Sequence, residues 1–204
     1  NIHHLGKFSV LKWVFLFRNP KYSLVNPAET PNETRKEKSV PLISPENFNF
    51  VTMGRLSPEK NQINLVRAFS TVVTSFPNAR LFILGNGELR KELISLIQAL
   101  DLQDHVWLLG HIDNPGYGLK QCDLFVLPSY YEGQPMVLLE GLTLGMKILA
   151  SNIPANRSVI GSDYGFYING TDAETIAESL VEQIQKGFPN APRKFDPYAY
   201  NQSV

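Results

Sequence analysis

The sequence predicts an α/β fold built on a doubly wound, parallel sheet of Rossmann-like type. Two patterns predict it. Short apolar runs recur, each closed by turn residues: FNFVTMG at 48–54, ARLFILG at 79–85, HVWLLG at 105–110, DLFVLPS at 123–129 and KILAS at 147–151. Their continuity, without polar alternation, suits strands covered on both faces. Between them stand segments whose apolar residues are three and four apart, the period of a helix with one buried face.

Taken from the amino terminus, FSVLKWVFLF (Phe8–Phe17) is interrupted by Lys12 and falls short of the roughly 20 apolar residues of a spanning helix. It also lacks a signal-peptide cleavage pattern. The segment is therefore read as a structural piece. Residues 21–47 turn rich in Pro, Asn, Glu and Lys and read as an exposed linker, with a boundary near 45.

Residues 48–204 form the predicted Rossmann-like domain. After its first strand, NQINLVRAFSTVVTSF (61–76) places Ile63, Val66, Phe69 and Val73 on one helical face. After the second, ELRKELISLIQALDL (88–102) does so with Leu89, Leu93, Leu96 and Leu100. A short segment at 117–122 and PMVLLEGLTLG at 135–145 follow the third and fourth strands. TDAETIAESLVEQIQKG (171–187) opens on a Thr-x-x-Glu capping box and stops at glycine. Strand and helix thus alternate five times. Right-handed crossovers make such a sheet parallel and place ligand sites beyond the carboxyl ends of its strands.

Nineteen basic residues balance nineteen acidic ones, so no net field points to nucleic acid or an anionic membrane. The single Cys122 excludes an intramolecular disulfide, and neither CxxC nor a Cys/His cluster suggests zinc; no metal is expected. His3 and His4 lie outside the core domain without a ligand set. A cytoplasmic location fits this cysteine usage, with peripheral attachment to the inner face of the membrane left open.

Three loops after strands carry chemistry. In GRLSPEKN (54–61), Gly54 leads from strand to helix and Arg55 and Lys60 flank the turn, so a diphosphate could meet two cations and a helix start. The alternative is a tight turn capped by Ser57 or Asn61, with two solvated cations. GNGELR (85–90) has a glycine-rich turn lacking the third glycine of the dinucleotide motif; Gly85 and Gly87 then serve backbone geometry, with Arg90 at the surface or as an outer neighbour of a nucleotide.

YEGQPMVLLE (131–140) is more informative. Pro135 fits the first helical position, so Gly133 and the backbone of Gln134, Pro135 and Met136 mark a helix start suited to phosphate or a sugar hydroxyl. Glu140 follows about 7.5 Å along the axis, among Leu138, Leu139, Leu142 and Leu144. A carboxylate in that setting needs partners. Two vicinal ribose hydroxyls would serve, while Glu132, in the preceding turn, could accept from a second sugar. The plain alternatives are Glu140 reaching water or a Lys or Arg, and Glu132 as a turn residue.

His111, in GHIDNP, is either structural or a donor contact; Tyr130 and Tyr131 are either stacking groups or packing anchors; Asn152 and Arg157 are outer candidates.

With these residues in view, 48–195 resembles the carboxyl-terminal domain of the family 4 retaining glycosyltransferases, one half of the two-domain GT-B fold. GRLSPEKN, GNGELR, FVLPSYYEGQPMVLLEGLTLG (125–145) and SNIPANR (151–157) carry the likeness, and Glu132 and Glu140 match the family's E-x7-E motif. The resemblance implies metal-independent transfer from a nucleotide diphosphate sugar, UDP-linked, with no cofactor. Arg55 and Lys60 would hold the diphosphate, Glu132 the transferred sugar, and Glu140 the ribose. The backbone of Gly133, Gln134, Pro135 and Met136 would meet the sugar or distal phosphate. EGQPMVLLE and FDPYAYN look similar to bacterial members acting on cell-wall or teichoic-acid-like polymers, implying a glycan, polyol-phosphate or lipid-linked acceptor. That acceptor would be held by an amino-terminal domain outside this chain, of which residues 1–20 would be a remnant or extension, leaving the fragment alone inactive. Two departures stand out: Gly133-Gln134-Pro135 replaces Gly-Phe-Gly, and Gly141 replaces alanine after Glu140. Rival functions are an epimerase or phosphorylase on the same fold, and a non-catalytic binding module.

Overall fold

The computed structural model describes residues 43–113, 115–197 and 200, the side chain of Tyr117 excepted. The segment 1–20 and most of the predicted linker lie outside the described residues. Six strands, β1 (Phe48–Met53), β2 (Ala79–Leu84), β3 (Val106–Gly110), β4 (Leu124–Leu127), β5 (Ile148–Ser151) and β6 (Phe166–Ile168), form one sheet. Its order is β3-β2-β1-β4-β5-β6, and every pairing is parallel. This is the doubly wound arrangement expected from the alternation of elements.

The helices are α1 (Gln62–Ser75), α2 (Arg90–Ala99), α3 (Gly116–Leu119), α4 (Met136–Thr143), α5 (Pro154–Ile160) and α6 (Ala173–Gln185). Alternate strand residues feed two separate cores. Phe50, Leu81, Ile83, Leu124, Val126 and Leu149 face α1, α2 and α6. Val51, Phe82, Leu84, Phe125, Leu127 and Ile148 face Leu119 of α3, Leu138 and Leu142 of α4, and Val159 of α5. A period of two thus sends successive side chains to opposite covered faces, which is why the strands read as unbroken apolar runs.

β1 and β4 are neighbours, yet their following helices leave to opposite faces: α1 packs in the first core and α4 in the second. Such a divergence opens a crevice beyond the carboxyl ends of the two strands. The described residues hold six strands rather than the five the sequence predicts; β6 and the helix before it, α5, are the additions. The expected Thr171 capping box is also absent. Asp172 caps α6 instead, its carboxylate accepting from the Thr175 amide and hydroxyl, both at 2.9 Å. A carboxylate beside the positive end of the helix dipole is favoured there, and these bonds hold its pKa below the usual range.

Candidate functional site

After β1 the chain passes Gly54 and Arg55, makes a short 3-10 turn at Pro58–Lys60, and enters α1 through Asn61 in the left-handed conformation (φ 58°). Neither Ser57 nor Asn61 caps with its side chain. Ser57 donates to Glu59 at 2.6 Å. Asn61 donates from Nδ2 to the Pro128 carbonyl at the end of β4 (3.1 Å) and to the Thr171 carbonyl (2.7 Å), joining three loops.

The Lys60 stem lies over Gly54, where a Cβ would stand 3.8 Å from Lys60 Cδ. Its Nζ donates to both oxygens of Glu132, each at 2.7 Å. Glu132 is therefore not an exposed turn residue, the plain alternative for it. It is 7% exposed, because the Tyr130 amide donates to the Glu59 carbonyl (2.9 Å) and draws its loop down over the turn that follows β1. A third bond reaches Glu132 Oε1 from the Ser129 hydroxyl at 2.7 Å. Arg55 stands on the same turn with an exposed side chain and no hydrogen-bond or ion-pair partner among the described residues.

Behind Glu132 runs a polar network that sequence reasoning missed. The Ser151 hydroxyl, at the end of β5, donates to the Ser129 carbonyl at 2.6 Å. Asn156 of α5 donates to Ser151 Oγ at 3.0 Å and to its carbonyl at 2.9 Å. All three residues are fully buried. The signal was a serine closing each of two apolar strand runs, LPS and LAS, where burial obliges a polar group to find a partner.

At the start of α4, Pro135 occupies the capping position rather than the first helical one. The Met136 amide is already bonded to the Gln134 carbonyl at 2.8 Å, so it is not free for a phosphate as expected. Gly133 and Gln134 are exposed, and a Cβ on Gly133 would meet nothing within 4 Å. Along α4, Leu138, Leu139, Gly141 and Leu142 are buried. Met136, Val137, Glu140 and Thr143 are only partly covered, forming one stripe at helical spacing. Glu140 is thus half-buried. Its carboxylate has no hydrogen-bond or ion-pair partner among the described residues, and burial pushes its pKa up to about 7. At Gly141 a Cβ would stand 2.9 Å from Ile148 Cδ1, the movable tip of that side chain.

The glycines of GNGELR serve close backbone approach. Gly85 has φ 128°, and a Cβ there would fall 2.0 Å from the Gly54 carbonyl oxygen; at Gly87 it would fall 2.2 Å from that of Leu56. The loop after β2 thereby lies against the loop after β1. Arg90, half-buried, directs Nη2 at the Leu108 carbonyl, 3.5 Å away.

His111 is exposed, 3.2 Å from Asp113, after edge strand β3 and two strands from the β1–β4 crevice. Tyr131 is 70% exposed, whereas the Tyr130 hydroxyl is tied to Asn64 at 2.8 Å. Arg157 donates to Asn152 (2.9 Å) and stacks over Tyr167. Burial, and then Asp123, pushes the Cys122 thiol up to about 12. Among the described residues no group of three His, Cys, Asp or Glu side chains is placed to hold a metal ion.

This geometry has relatives. The family model described as glycosyl transferases group 1 matches residues 33–202, and the chain belongs to that family. The match begins inside the stretch read as linker. An Escherichia coli UDP-Gal:alpha-D-GlcNAc-diphosphoundecaprenol alpha-1,3-galactosyltransferase is 30% identical over 167 residues, covering 74% of this chain and 43% of the relative. A Bacillus subtilis poly(glycerol-phosphate) alpha-glucosyltransferase is 27% identical over 175 residues, covering 84% and 26% respectively. The crystal structure of Anabaena HepE in complex with UDP-glucose superposes with a TM-score of 0.64 at 24% identity, over 77% of this chain and 47% of that one, a likeness of fold. The chain spans less than half the length of these curated relatives.

Proposed function

We propose that the chain is the nucleotide-sugar-binding portion of a retaining glycosyltransferase whose donor is UDP-linked and whose acceptor is a lipid-linked or polyol-phosphate polymer of the bacterial cell envelope. The observation that carries this reading is Glu140: a half-buried carboxylate without a protein donor, on the uncovered stripe of α4. Such a group is stabilised by a ligand that brings hydroxyl donors, and a ribose offers two side by side.

Arg55 and Lys60, on the turn after β1, would face the diphosphate, whose negative charge grows as the glycosidic bond breaks; fixed cations matter most at that stage. Glu132 would orient the sugar, since holding the anomeric carbon against the acceptor is a large part of such catalysis. Retention belongs to the proposal because the order of motifs resembles that of the family 4 enzymes. The acceptor class is supported by the two relatives, whose names specify a diphosphoundecaprenol-linked and a poly(glycerol-phosphate) substrate.

Calorimetry tests the reading. UDP should bind, and bind more tightly than 2′,3′-dideoxy-UDP, in the wild-type chain; Glu140→Ala should remove most of that preference. A preference that survives Glu140→Ala intact would refute the ribose assignment.

A further inference from the structure

Lys60 and Glu132 neutralise one another in the folded chain, at 2.7 Å to each carboxylate oxygen. In the function proposed above, on which this inference rests, each also has a ligand partner: the diphosphate for Lys60, the sugar for Glu132. The two sets of contacts compete. We infer that the Lys60–Glu132 pair is a latch through which the site distinguishes a sugar-bearing nucleotide from the spent nucleotide diphosphate.

The surroundings of Glu132 show why. Oε1 has two donors, Lys60 and Ser129, but Oε2 has only Lys60 among the described residues. The Glu132 side chain is 5% exposed, so water cannot take over from Lys60. Nor can the carboxylate follow its cation outward. Ser129 is fixed through its carbonyl by Ser151, Ser151 is fixed by Asn156, and the turn carrying Lys60 is pinned to β4 by Asn61.

An incoming diphosphate must therefore share its cation with a buried carboxylate, whether Nζ leaves Glu132 or only turns its third N–H outward. Splitting a buried pair without replacing the lost partner is costly. A donor that also carries a sugar restores what is lost, because its hydroxyls can donate to Glu132 at the moment Lys60 turns to the phosphates. A bare nucleotide diphosphate restores nothing. Sugar and diphosphate recognition are thus coupled, and the product left after transfer binds more weakly than the donor.

UDP and inorganic pyrophosphate serve as probes, titrated calorimetrically into the wild-type chain and into Glu132→Gln, with circular dichroism to confirm folding. Removing the competing carboxylate should tighten both probes, by about tenfold, the effect of freeing one charge contact. Glu132→Ala, which removes the acid altogether, should tighten them too. Lys60→Met should weaken UDP binding more in the Glu132→Gln background than in the wild type, since only there is Lys60 free from the start. Unchanged or weaker binding of both probes in the Glu132 variants would overturn the latch. A wild-type chain that binds neither probe would instead refute the nucleotide reading itself, and the latch with it.

Discussion

Two carboxylates eight residues apart meet opposite conditions. Glu132 is nearly buried and receives three hydrogen bonds, two of them from a cation. Glu140 is less deeply covered and has no partner, and its pKa is pushed up to about 7. The more hidden acid is the better satisfied one, because β4 ends beside the turn after β1 and so delivers Lys60 and Ser129 to it. The first turn of α4 carries Glu140 away from both. Burial alone does not decide whether a carboxylate is satisfied; the donors brought by neighbouring strands do.

Breaking the satisfied side should have the largest effect. Lys60→Met leaves Glu132 buried beside a single donor and should lower unfolding free energy by about 3 kcal/mol in urea denaturation; adding Glu132→Gln should recover more than half of that loss. Ser129→Ala removes one bond to a charged acceptor and should cost about 2 kcal/mol.

The unsatisfied side should respond with the opposite sign. The Glu140 carboxyl has a folded pKa of about 7, above its ordinary 4.5, so the folded state holds the extra proton between those values. The burial penalty is absent below the lower value, grows as pH rises, and is complete above the upper one. Glu140→Gln should therefore match the wild type near pH 4.5 and exceed it in stability at pH 8 by about 1 kcal/mol, a figure discounted for partial solvent screening. Since hydroxyl donors favour the ionised acid, UDP affinity should also fall as pH is lowered from about 8 to about 6. Least affected should be Tyr131→Ala: at 70% exposure it should change stability by less than about 0.5 kcal/mol.

The legible parts of the molecule were the local ones. The first five strands announced themselves because two-faced burial makes each a continuous apolar run. β6 is three residues long, Phe166–Ile168, too brief to show a pattern. α5 was hidden because it buries Asn156 together with Val159 and Ile160, leaving little apolar periodicity in SNIPANR. The unmet need of Glu140 could be read from its leucine neighbours. The Lys60–Glu132 pair could not, since its members are separated by 72 positions and meet only because the sheet order sets β1 beside β4. The expected free amide of Met136 failed for a local reason: the bend at Pro135 returns that N–H to Gln134.

The most direct test is a crystal structure of the chain with UDP bound. The account predicts the diphosphate against Arg55 and Lys60 at the β1–β4 crevice, with both ribose hydroxyls within hydrogen-bonding distance of the Glu140 carboxylate. A nucleotide seated elsewhere, or a ribose turned away from Glu140, would contradict it.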